Sequence, residues 1–125
     1  MSKAKPSHTG RAKHLRSPWD TYETALLLDM YFRIERGEIT RSRAISELSE
    51  RLRALGVKRG IKIDDIYRNE NGISTHLSHM VYALTDGKAG LWNAAQIHYQ
   101  VFQMYREDRE HYERILEEAK AMIEG

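Results

Sequence analysis

The stretch Ser17 to Gly37, SPWDTYETALLLDMYFRIERG, opens and closes as a helix does. Ser17 is a favourable N-cap, Pro18 suits the first helical position, Asp20 falls in the first turn, and Gly37 supplies a left-handed C-cap. Between them Trp19, Tyr22, Ala25, Leu26, Met30 and Phe32 form a broad apolar face, crossed by Asp29 and Arg33. The same period returns from Arg43 to Leu55, where Ala44, Ile45, Leu48, Leu52 and Leu55 recur at three- and four-residue steps and Gly56 is expected to end the helix. Two amphipathic helices in succession are expected to pack as a hairpin.

The period is lost from Val57 to Asn71 and resumes near Gly72, with Ile73, Leu77, Met80, Val81 and Leu84 on one face and Ser74, Thr75, His76 and Ser78 largely on the other. Asp86 to Gly90 breaks that helix. Asn93 with Gln96 reads as a capping box for a helix through Ile97, Val101, Met104 and Tyr105. A final segment, Asp108 to Ile123, carries Tyr112, Ile115, Leu116, Ala119 and Met122; Arg106 to Asp108 fits either a turn or one continuous helix. No internal repeat, heptad run or strand pair competes. The sequence therefore predicts an all-α bundle of about five helices, residues 18–125, with a long basic connection between the second and third and a flexible basic arm at residues 1–17.

With 125 residues, 41% apolar and 30% charged, the chain is sized for one core. It has no cysteine, which rules out disulfides, cysteine-ligated metal centres and a thiolate nucleophile, and suits a reducing, cytoplasmic setting. The longest apolar run, Ala25 to Leu28, is far too short for a membrane span.

Catalytic patterns are missing. There is no G-x-S-x-G elbow and no phosphate-cradling glycine loop, and the adjacent Asp64 and Asp65 do not converge on one atom. The run Asn69-Glu70-Asn71-Gly72 resembles part of a calcium loop, but Tyr67 stands where the first carboxylate belongs. His76 and His79 share one side of a helix, yet two ligands do not make a zinc site, and His98 and His111 read as half-buried or surface residues. The expectation is a non-enzyme without metal or cofactor.

Charge carries the functional signal. Residues 1–17 hold five bases and no acid, whereas the remaining 108 hold 15 bases against 18 acids. From Arg41 to Arg68 a second concentration has eight bases against four acids. Such an arm and connection suit a polyanion, and double-stranded DNA is the expected partner. Candidate phosphate contacts are Lys58, Arg59, Lys62 and Arg68. Asn69, Asn71, Ser74, Thr75 and His76 are the candidates at the start of the third helix, where free backbone N–H groups meet a phosphate or base edge. Tyr67, the aromatic within the basic connection, is a candidate base-stacking platform.

Three segments carry a resemblance: WDTYETALLLDMYFR (Trp19 to Arg33), ELSERLR (Glu47 to Arg53) and YRNENGISTHL (Tyr67 to Leu77). In this order they resemble the small helical domain that precedes the HNH nuclease domain in McrA-like restriction endonucleases, over roughly Pro18 to Ile123. The resemblance implies an accessory domain of a restriction or phage-defence system that engages DNA, with modified DNA included, and it points to Arg68, Asn69, Asn71 and Gly72. The chain departs from the family pattern in having no HNH module after the domain and Glu70 where proline is common. The alternative expectation is a protein-interaction adaptor that binds a nuclease or other defence protein through the acidic segment Arg106 to Gly125, which holds four bases and seven acids.

Overall fold

The structure, a computed structural model, describes residues 18–124. Ser17 and the basic arm therefore lie outside the described residues. Five helices follow in order: α1 (Thr21–Glu35), α2 (Arg41–Lys58), α3 (Glu70–Leu84), α4 (Gln96–Glu107) and α5 (Arg109–Glu124). No strand occurs among the described residues, so the all-α bundle stands.

The run Ala25-Leu26-Leu27-Leu28 decides the packing. All four are buried, and four consecutive residues point to every side of a helix, so α1 cannot rest on a single neighbour. It lies at the centre and packs against each of the other four helices, most extensively against α5. The expected α1–α2 hairpin is thus one contact of several. Tyr112 of α5 is buried against α1 and donates its hydroxyl proton to the Ala25 carbonyl at 3.2 Å. Burial without solvation pushes that phenol well above its ordinary pKa.

Helix boundaries differ from the sequence expectation in three places. The cap of α1 is Asp20, whose Oδ1 accepts the Glu23 N–H at 2.8 Å while Glu23 Oε1 accepts the Asp20 N–H at 3.1 Å. Gly56 does not end α2; the helix continues to Lys58 and stops where Gly60, at φ +80°, lets the Ile61 N–H reach the Gly56 carbonyl at 2.9 Å. Gly56 is present for space, because a Cβ there would sit 2.7 Å from Cε2 of buried Tyr67. Asn93, at φ +71°, lies in the irregular connection before α4 and is not its cap. Ala95 precedes α4, and its N–H is accepted at 2.9 Å by Nδ1 of His98. The open question at Arg106 to Asp108 is settled as a break, with Asp108 at φ −144°, ψ 66° between α4 and α5.

Gly56→Ala tests the packing directly. Helix propensity alone would stabilise α2 by about 1 kcal/mol. The clash with Tyr67 is expected to outweigh this, giving a net loss of about 1 kcal/mol in urea unfolding.

Candidate nucleic-acid interface

The basic connection between α2 and α3 has no regular structure, yet its backbone is fastened to α2. Ser49 and Arg53 lie one turn apart on α2 and face it together: Ser49 Oγ donates to the Arg68 carbonyl at 2.7 Å, and Arg53 Nη1 donates to the carbonyls of Asp64 at 2.9 Å and Tyr67 at 2.7 Å. Asp64 Oδ1 accepts the N–H groups of Ile66 at 3.1 Å and Tyr67 at 2.9 Å, the local turn expected of an Asx residue rather than half of a catalytic pair.

Arg68 points inward. It is 8% exposed and grips Glu23, itself 2% exposed, with Nε to Oε2 at 2.7 Å and Nη2 to Oε1 at 3.0 Å. Nη2 also donates to the Pro18 carbonyl at 3.0 Å, and the guanidinium lies 5.2 Å from the Trp19 ring centre and 4.6 Å from that of Tyr67. Fork-to-fork geometry with aromatic cover is what makes burial of this charge tolerable. The expectation that Arg68 meets a phosphate is therefore corrected: its donors serve the interior. Tyr67 is 5% exposed and is no stacking platform for a base.

The remaining candidates divide between structural and accessible roles. Asn69 caps α3, accepting the Gly72 N–H at 2.8 Å. Arg59 pairs with Asp20 at 2.8 Å, and Lys58 donates to the carbonyls of Met122 and Ile123 at the end of α5. Asn71 and Thr75 are exposed in the first turns of α3, with Thr75 Oγ1 donating to the Asn71 carbonyl at 3.1 Å. Lys62 is exposed and makes no ion pair among the described residues. Ser74 Oγ accepts from Arg41 Nη2 at 3.1 Å, which ties the first turn of α2 to α3. Arg41, Ser42, Glu70, Asn71 and Ser74 border an open groove of about 470 Å³ between these two helix starts. Arg41 and the exposed Arg43 have no carboxylate partner among the described residues. In the sequence both belong to the basic run without standing out from it; their place at the start of α2, opposite that of α3, appears only once the two helices pack.

His76 is half-buried rather than turned to solvent. Its ring stacks on Trp19 with centroids 4.4 Å apart, and its Nδ1 lies 3.2 Å from Nε2 of His98, which is 1% exposed. Since His98 Nδ1 accepts the Ala95 N–H, the His98 proton sits on Nε2 and is donated to His76. His79 completes the group, its ring centroid 5.8 Å from that of His98 and its Nδ1 donating to the Leu91 carbonyl at 3.1 Å. No group of three or more histidine or carboxylate side chains among the described residues is arranged to hold a metal ion. Burial, reinforced by the neighbouring histidines and by Arg68, lowers His76 to about 3. Burial and His79 lower His98 to about 4, against a smaller opposing effect of the Ala95 hydrogen bond.

No family model, curated protein or solved structure matches this chain.

Two outcomes are expected from this geometry. Arg68→Ala leaves the Glu23 carboxylate buried without its cation, with only the Asp20 N–H still bonded to it, and is expected to cost about 3–5 kcal/mol in urea unfolding. Arg68→Glu is worse, so lost DNA binding in that variant would report unfolding. Second, both histidines fold as neutral rings with pKa values below the ordinary 6.5, so their contribution is complete above pH 6.5 and is lost as pH falls toward 4 and 3. His98 alone is expected to lower stability by about 2 kcal/mol between pH 7 and pH 5. His98→Gln should remove that share of the dependence and leave the share of His76.

Proposed function

We propose that this chain is a non-catalytic accessory protein of a restriction or phage-defence system that binds double-stranded DNA through its phosphates and discriminates modified DNA. The observation that carries the reading is the distribution of cations: five bases without an acid in residues 1–17, together with exposed Arg41, Arg43 and Lys62, none of which has a carboxylate partner among the described residues. Phosphates supply most of the affinity in such contacts, and cations not held by internal ion pairs are the ones that release counterions on binding. Asn71 and Thr75, exposed beside the groove at the start of α3, are the groups available to a sugar or base edge. The resemblance of the Trp19–Arg33, Glu47–Arg53 and Tyr67–Leu77 segments to the McrA-like accessory domain supports the restriction setting. Compared with the sequence expectation, the contact moves from Arg68 and His76 to Arg41 and Arg43.

A second reading, an adaptor for a nuclease or other defence protein, draws on α5, where Glu113 and Glu117 are exposed on an acidic helix. In that case reversing both to lysine abolishes partner capture and leaves DNA affinity unchanged.

Fluorescence anisotropy with unmodified and cytosine-methylated duplexes tests the proposal. Affinity is expected to fall as salt rises, by about 0.9 logarithmic units per logarithmic unit of salt for each phosphate neutralised. Deleting Met1 to Arg16, or combining Arg41→Glu with Arg43→Glu, should weaken binding by about tenfold or more at low salt and reduce that slope. Undetectable binding at low salt, or full affinity in both variants, overturns the reading; equal affinity for the two duplexes removes modification sensing from it.

A further inference from the structure

From Asp86 to Gln100 one side chain is buried, and it is titratable. Asp86 to Asn93 are exposed throughout, Ala94 and Ile97 are half-buried, and His98, in the first turn of α4, is 1% exposed. The connection is held to α3 at Leu91, whose N–H donates to the Ser78 carbonyl at 3.0 Å and whose carbonyl accepts from His79 Nδ1 at 3.1 Å. The next buried residue after His98 is Val101. Between Leu91 and Val101, attachment to the bundle therefore rests chiefly on one imidazole ring.

The same ring begins α4. The side chains of Asp20, Thr40 and Asn69 cap α1, α2 and α3, whereas α4 starts at Ala95, which has no oxygen to offer. Of a reciprocal cap only the returning half is present: His98 Nδ1 accepts the Ala95 N–H at 2.9 Å. Its Nε2 donates to His76 Nδ1 at 3.2 Å, and the His76 ring stacks on Trp19. The charged and titratable groups around this pair are His79 of α3, with ring centres 5.8 Å from His98 and 6.2 Å from His76, and Arg68, which is paired with Glu23 of α1. None of the three rings is paired with a carboxylate among the described residues.

A proton taken up by His98 thus places a charge in a buried site without a counter-ion, and solvent is where that charge is relieved. We propose that the start of α4 is an acid-released latch: protonation drives His98 out of the bundle and frees the Trp92–Tyr99 segment from α3, while the other four helices stay packed. The remainder of α4 keeps buried Val101 and its contacts with α1 and α5. Release of an exposed segment with one buried anchor gives up far fewer apolar contacts than unfolding the core, so it precedes global unfolding. The latch is independent of the DNA reading.

Hydrogen exchange followed by NMR on the full chain, from pH 7 to pH 4, tests this. Burial holds His98 at about 4 when the latch is closed, against 6.5 for an ordinary histidine. The neutral ring therefore favours the closed state; that preference is complete above pH 6.5 and is lost as pH falls to 4. Protection of the Ala95 and His98 amides is expected to fall about tenfold per pH unit over this range. At every pH it should stay below that of Leu27 and Leu28 in α1. His98→Gln, which takes up no proton, should abolish the slope at Ala95. If that variant does not fold, the ring signals of His98 in the unmodified chain decide, with an expected midpoint near 4. A ring that titrates near 6.5, a slope unchanged in His98→Gln, or Ala95 and His98 amides that exchange only together with those of α1 overturns the proposal.

Discussion

The buried ion pair between Glu23 and Arg68 is the constraint around which the first half of the molecule is arranged. Glu23 satisfies three donors at once: the Asp20 N–H that begins α1 and two from the Arg68 guanidinium. Arg68 in turn holds the Pro18 carbonyl and lies between Trp19 and Tyr67. One pair therefore fixes where α1 begins, where the irregular connection ends and how α3 is aimed. A charge taken out of water at this cost is tolerable only when its partner is aligned, and the backbone supplies that alignment by holding Arg68 at φ +49° with Ser49 bonded to its carbonyl.

Electrostatics in this bundle separate into an interior and an exterior system. Inside, Arg68 is neutralised by Glu23, and His76 and His98 are kept uncharged by burial. Outside, Arg41 and Arg43 at the start of α2 are exposed and have no carboxylate partner among the described residues. A protein that binds a polyanion needs the second kind of charge, and composition alone cannot tell the two apart. Arg68 and Arg43 contribute equally to a sequence count, but Arg68 is buried against Glu23 and Arg43 is exposed.

The helical architecture was legible because its signals are local. Apolar periodicity located α2 and α3, the glycine after α1 marked its end, and the aspartate–glycine turn marked the end of α3. What was not legible depends on neighbours distant in sequence. Gly56 looked like a stop because no local feature reveals that Tyr67, eleven residues on, occupies the space of a Cβ. The RNENG segment was recognisable as a turn opening a helix, and Asn69 does cap it. Its arginine was read as a phosphate ligand because Glu23 lies 45 residues earlier. His98 was read as peripheral for the same reason: its partner His76 lies on another helix. The four-residue run at Ala25 is too short to span a membrane, and its burial on every side of the helix also requires α1 to be enclosed.

That enclosure bears on how the molecule comes apart. With α1 touching each of the other four helices, no subset of helices that omits it retains a core of its own. Its largest contact is with α5, at the opposite end of the described chain. Closing the bundle therefore requires joining segments far apart in sequence, and α5, the latest of these five helices in chain order, completes the burial of α1. The bundle lacks a stable half, so fraying at the end of α5 exposes the centre of the core rather than its margin. Loss of α5 and global unfolding should be close to the same event.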